Sequence, residues 1–247
     1  MNAFEKPLTR RGALTLIAVT AGGGMLMSRS AFAQLAGGDA GSLISGADVC
    51  VLVPEVTEGP YYFDPALVRS DITEGRPGLA TALRMQVVDA SCRPIEGARV
   101  DVWHCDATGV YSGYDAGEGE TFMRGTQFAD ANGVVEFATV YPGWYTGRTV
   151  HIHFKVFLDA TNVLTGQIFF PEEVSDFVYA SYEPYTARPG RDMTNAADGI
   201  AQQAGEASVA LVENIDGALL AALVVGVDPG AVSQPQGFGA MYPPPRR

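Results

Sequence analysis

The chain has 247 residues, 47% of them hydrophobic and 18% charged, and a formal net charge of −12. That is enough for one good-sized domain with a real core and too little for two large ones. So acidic a chain, with no cluster of basic residues, argues against nucleic-acid or anionic-membrane partners.

A targeting pattern comes first. Thr9-Arg10-Arg11-Gly12 is a twin arginine, followed by a mildly apolar run from Ala13 to Met27 that Gly22, Gly23 and Gly24 dilute. Ala31-Phe32-Ala33 then offers a small-residue cleavage site. The apolar run is too short and glycine-rich for a lasting membrane span. The expectation is twin-arginine export of residues 1–33 and the loss of that segment, leaving a periplasmic or secreted protein with no stable membrane insertion. The segment carries Lys6, Arg10, Arg11 and Arg29 against Glu5, so its removal takes the net charge from −12 to −15. This route carries folded proteins, which suits a protein that takes up a cofactor before export. Cys50, Cys92 and Cys105 lack any CxxC spacing. One disulfide and one leftover thiol fit an oxidising compartment, and the spacing leaves the pairing open.

Residues 34–49, rich in Ala, Gly and Ser, read as a flexible leader, 50–230 as the folded domain and 231–247 as a disordered tail. Within the domain, Glu58-Gly59-Pro60-Tyr61-Tyr62-Phe63 is extended and turn-rich, with an aromatic cluster after Gly-Pro. Leu83, Met85 and Val87 alternate with polar neighbours in a strand that ends at Asp89, and residues 98–105 form the returning strand. A polar, glycine-punctuated loop carries Tyr111 and Tyr114, and Asp130 to Gly133 is a tight turn before a strand over 134–140. Residues 167–170 are a short apolar run, and 172–180 a helical turn or two. Strands over 208–215 and 219–227 finish the sheet. Many short strands, Gly/Pro turns and no long helical period predict an all-β sandwich of mostly antiparallel strands with long irregular loops.

The most informative stretch runs from Tyr145 to Phe157. Val150, Ile152, Phe154 and Val156 alternate with His151, His153, Lys155 and Phe157, so one strand face is apolar and the other carries both imidazoles. At a strand's rise the two histidine Cα atoms lie about 6.6 Å apart on one face, which suits two nitrogens converging on one metal ion. His104 is the third and last histidine. On the 98–105 strand it shares a face with Val100 and Val102 and reads as a hydrogen-bonded sheet residue. The other ligands must come from elsewhere. Tyr61, Tyr62, Tyr111, Tyr114, Tyr141 and Tyr145 sit in irregular, glycine-flanked positions. They are either packing, as most sandwich tyrosines are, or phenolate ligands to a hard trivalent ion such as Fe(III).

Gly109-Val110-Tyr111, Tyr141-Pro142-Gly143-Trp144-Tyr145 and Arg148 followed by His151-Ile152-His153-Phe154 resemble the signature of the intradiol ring-cleavage dioxygenases. With the Gly-Pro-Tyr-Tyr stretch at 59–62, the resemblance runs from about Pro54 to Val227. It implies a β-sandwich that binds one non-haem Fe(III) per chain. Tyr111 and Tyr145 would then be the phenolate ligands and His151 and His153 the imidazole ligands. Arg148 matches the family's active-site arginine, and Gln167 a glutamine near the substrate. The implied reaction is cleavage of a catechol-type aromatic diol by O2 to a cis,cis-muconate-type product, with Tyr145 the phenolate that gives way to substrate. Thr149 and Val150 stand where the family often has Pro-Ala, and only five residues separate Tyr145 from His151. The likeness is to a small exported subgroup, so neither the particular diol nor a homo-oligomeric state carries over. Two rivals stay open: a non-catalytic transthyretin-like binding sandwich, and a copper or zinc His-x-His protein that leaves the tyrosines idle.

Overall fold

The computed structural model describes residues 50–234. The chain builds β1 (Ala80–Val88), β2 (Arg99–Trp103), β3 (Arg124–Phe128), β4 (Val134–Val140), β5 (His151–Leu158), β6 (Thr161–Phe169), β7 (Leu211–Ile215) and β8 (Ala218–Gly226). Two helices, α1 (Glu172–Ser181) and α2 (Gly199–Ala204), lie in the connection between β6 and β7. The strands form two four-stranded sheets, β4-β1-β8-β7 and β3-β2-β5-β6. Every pairing is antiparallel except β1 with β8, so the expected sandwich is what the chain adopts. Among the described residues no helix is long and apolar enough to cross a membrane.

Period-two alternation puts the apolar residues of both sheets into one core. Leu83, Met85 and Val87 of β1, Phe137 of β4, and Leu223 and Val225 of β8 pack with Val100, Val102, Ile152, Phe154, Val156 and Ile168. One close approach is built with glycine. Phe154 on β5 pairs with Gly166 on β6, and a Cβ added at 166 would lie 2.4 Å from the Phe154 ring.

Several expectations need adjusting. The strand predicted over 98–105 stops at Trp103, because Met123, the next register partner opposite His104, turns its N–H to the Ile72 carbonyl instead of returning a ladder bond. The strand predicted from Ser208 begins at Leu211, since Glu206–Ser208 turns as a short 3-10 helix. Strand β3 and helix α2 were not legible in the pattern: Arg-Gly-Thr-Gln-Phe has no clean alternation, and α2 is only six residues long. The cysteine pairing is Cys50–Cys92, and Cys105 is a buried free thiol. The export segment, the leader and most of the tail lie outside the described residues.

The face of β5 that bears the histidines is also buried, which its alternation did not foretell: six of its eight residues are buried. Residues 56–63 cross over that face like a strap. Val56 N–H donates to the Thr165 carbonyl at 3.0 Å, and Gln167 Nε2 donates to the Thr57 carbonyl at 2.9 Å. Glu58 ion-pairs with Lys155. The Tyr62 hydroxyl donates to Asp101 at 2.9 Å, and Phe63 lies against the Arg124 guanidinium. The strap therefore touches all four strands of the sheet. Gly166→Ala should lower stability by about 1–3 kcal/mol by forcing the Phe154 ring off its rotamer. Urea denaturation should read this as a lower midpoint at unchanged slope.

Candidate metal centre

The histidine face is organised by the strand ladder. Arg124, Trp103, His153 and Gln167 are register partners across β3, β2, β5 and β6, so their side chains form one row on the strap side of the sheet. His151 stands one step along β5, on the same face. Trp103 stacks on the His153 ring at 4.9 Å between centroids and 11° between planes, which fixes that imidazole.

Two loops bring phenols over these rings. The Asp106 side chain accepts from the N–H groups of Thr108 and Val110 at 2.9 and 3.1 Å, which curls the loop leading to Tyr111. The Asp106 carbonyl accepts from both Gly109 N–H and Gly143 N–H, each at 3.0 Å, and so joins this loop to the turn that leads to Tyr145. The contact needs Gly143: a Cβ there would lie 2.5 Å from the Asp106 carbonyl oxygen and from the Gly109 nitrogen.

The result is a convergence of donors. Tyr145 Oη lies 3.0 Å from His151 Nε2, and His151 Nε2 lies 3.1 Å from His153 Nε2. His151 Nδ1 is 2.6 Å from the Thr149 carbonyl, so Nδ1 carries the proton and Nε2 presents its lone pair to the centre. One lone pair cannot satisfy the Tyr145 hydroxyl, His153 and, at 3.5 Å, Arg148 Nη1 together. The Tyr111 ring lies edge-on to Tyr145 at 5.7 Å and to His153 at 6.3 Å. Its hydroxyl is buried without a hydrogen-bond partner, as is His153 Nδ1. Burial holds both imidazoles well below the usual histidine range, aided by Arg148 near His151 and by His151 near His153. Burial raises both phenols, with the neighbouring Tyr145 adding to the effect at Tyr111 and the Arg148 charge opposing it at Tyr145.

This donor set fits a cation. Ligands held about 2.1 Å from one ion at right angles are about 3.0 Å from each other, matching the observed spacings. Neutral imidazoles are already in the ligand form, and a hard, highly charged ion would offset the cost of ionising the buried phenols. Among the described residues no three His, Cys, Asp or Glu side chains are grouped to hold a metal, so a metal here depends on the tyrosines. His104 stands apart: its ring nitrogens bond the Cys105 carbonyl and Thr139 Oγ1, both at 2.7 Å.

Arg148 and Gln167 also meet at this site. Arg148 Nη2 donates to Gln167 Oε1 at 2.6 Å, and Nη1 is the guanidinium nitrogen turned toward His151. Arg148 is buried and pairs with the equally buried Asp198 at 2.8 Å. Asp198 escaped the sequence reading. Its one signal was its place as N-cap of α2, where its carboxylate accepts from the N–H groups of Ile200 and Ala201. The same carboxylate accepts from Thr149 N–H at 3.0 Å, locking the start of β5. Burial alone would raise the Asp198 carboxyl, but Arg148 and these donors outweigh it and hold it below the usual carboxylate range. A depressed folded value contributes stability above the unfolded carboxylate range, lost as pH falls through it. Asp198→Ala should therefore cost about 3–5 kcal/mol at pH 7 by leaving Arg148 unpaired. Paired urea melts should show the gap to the parent protein narrowing below about pH 4.

Comparison with known proteins agrees with this geometry. Residues 57–201 match a family described as Dioxygenase. Catechol 1,2-dioxygenase of Acinetobacter baylyi is 29% identical over 211 residues, covering 74% of this chain and 67% of that relative. An intradiol ring-cleavage dioxygenase from Tetranychus urticae superposes with a TM-score of 0.71 at 35% identity, over 74% of this chain and 98% of its own. The dioxygenase domain of a carbohydrate-binding fusion protein from Streptomyces sp. SirexAA-E gives 0.57 at 27% identity, over 74% of this chain and 100% of its own. The matched region contains both phenol loops, the histidine strand and Asp198. The chain belongs to the intradiol ring-cleavage dioxygenase family.

Proposed function

We propose that this chain is a non-haem Fe(III) enzyme that uses O2 to cleave a catechol-type ring between its two hydroxyl-bearing carbons, giving a cis,cis-muconate-type product. Tyr111, Tyr145, His151 and His153 would hold one ferric ion. The observation that carries the reading is the approach of Tyr145 Oη, His151 Nε2 and His153 Nε2 to within 3.0–3.1 Å of one another, beside the unpartnered Tyr111 hydroxyl. Bound there, a ferric ion would supply Lewis acidity to a chelating diol and open its ring to O2.

The chain's own groups do the rest. Tyr145 is the less enclosed of the two phenols and sits on a turn tied down partly by exposed bonds from Gly147 N–H to Asp192. Ionised as a ligand, its oxygen would be the one placed to accept a proton from an arriving diol and leave as the neutral phenol. Arg148, aimed by Gln167 and Asp198, sets a fixed positive charge beside His151, where a ring carrying negative charge would lie. Tyr61 stacks on Tyr111 at 4.3 Å and stands edge-on to Tyr145 at 6.3 Å, so the strap roofs the centre and limits water. The twin-arginine leader extends the proposal to export, and the Cys50–Cys92 bridge suits an oxidising compartment.

Purified protein should contain one iron per chain by metal analysis and show a strong visible tyrosinate absorption. His151→Ala and His153→Ala should each lose most of the iron, while His104→Ala should keep it. A site emptied equally by His104→Ala would refute the ligand set. Incubated with simple catechols and O2, the protein should yield a muconate. A hydroxymuconic semialdehyde would instead mean cleavage outside the diol.

A further inference from the structure

Arg124 ends the row that carries His153 without being one of the four candidate donors, yet among the described residues it is the least exposed charged side chain. It opens β3 at 1% exposure. Among the described residues it has no carboxylate partner, and burial lowers it to about 10. A buried cation without a counter-ion is costly, and a well-packed apolar side chain of similar volume would ordinarily be more stable there. The contacts it makes indicate what offsets that cost. Nε donates to Ser112 Oγ at 2.9 Å and Nη2 to the Ser112 carbonyl at 2.8 Å, so the planar fork grips one residue at two points. Ser112 Oγ in turn donates to the Phe122 carbonyl at 2.6 Å. Ser112 directly follows Tyr111. On its other side the guanidinium lies 4.1 Å from the centroid of Phe63, the last ring of the strap. The Phe63 ring has little freedom, because a Cβ at Gly113 would come within 2.3 Å of it.

We propose that Arg124 is a positioning residue for Tyr111: it fixes the Tyr111–Ser112 backbone and the Phe63 end of the strap together, so that phenol and roof keep one geometry. The inference rests on Tyr111 being an iron ligand. It accounts for a cation where packing alone favours an apolar residue, and for a fork rather than an ammonium, since Lys has no second donor held at a fixed angle to the first.

The test uses the iron-loaded protein and its tyrosinate-to-iron absorption and resonance Raman bands, which report phenol geometry independently of turnover. Tyr111→Phe identifies the Tyr111 contribution. Arg124→Met should shift or broaden that contribution, leave the Tyr145 contribution in place and lower kcat roughly 10- to 100-fold. Arg124→Lys should fail to restore the bands. Ser112→Ala, which removes one prong of the grip and disturbs folding least, should move the same bands in the same direction by less. If Arg124→Met does not fold, Ser112→Ala decides. Parent-like bands in Arg124→Met, full rescue by Lys, or an unchanged Ser112→Ala would each overturn the inference. If Tyr111→Phe itself leaves the bands unchanged, the ligand assignment falls, and this inference with it.

Discussion

Burying a strand on both faces, when one face carries two imidazoles, is the constraint on which the rest of this structure depends. A strand at a sandwich surface can leave its polar side to water; β5 cannot, because the strap lies across it. Every nitrogen on that face then needs a partner or must bear the cost of going without. Thr149 takes one, Trp103 fixes a ring by stacking, the two Nε2 atoms and the Tyr145 hydroxyl crowd together, and His153 Nδ1 and the nearby Tyr111 hydroxyl go without a partner. An unsatisfied group in an ordinary core is a defect. Donors crowded together in this way suit a shared cation, as proposed above, better than they suit a binding sandwich with idle histidines.

Around that centre the supports divide by chain segment. Arg148 is held by Asp198 and Gln167, and Thr149 by Asp198 and Asn195, so the 188–198 connection braces the entry to β5. Trp144 Nε1 donates to the Arg188 carbonyl on the same side. Tyr111 is braced from β3 instead. The two phenols thus hang from different parts of the fold, and their loops are joined through the carbonyl of Asp106. Buried, hydrogen-bonded polar residues of this kind specify geometry more than they add stability.

Much of this was legible in the sequence, but unevenly. The His-x-His face followed from period two alone. Tyr111 and Tyr145 stood out from eight other tyrosines only through the order of the surrounding motifs, because spacing in the chain does not say which phenols a fold brings together. Asp198 lies 50 residues from Arg148, at the start of a helix too short to be read from the pattern. Arg124 was hidden because β3 has no clean alternation, and a charge in such a segment carries no signal of burial. The burial of the histidine face was illegible too: alternation distinguishes the two sides of a strand but cannot say that a second layer covers the polar one.

The strap contributes none of the four candidate donors. It reaches the sheet through backbone bonds at Val56 and Thr57, an ion pair at Glu58, and rings at Tyr61, Tyr62 and Phe63. The donors are fixed from below by the strands and the glycine-locked loops, whereas the roof is a separate short piece of chain with its own anchors. Donor atoms and roof therefore come from different parts of the chain and meet at two places, where Tyr61 stacks on Tyr111 and where Arg124 joins Phe63 to Ser112. A change confined to the strap would then be felt first in the space above the centre, and by the donors only through Tyr61 and Phe63.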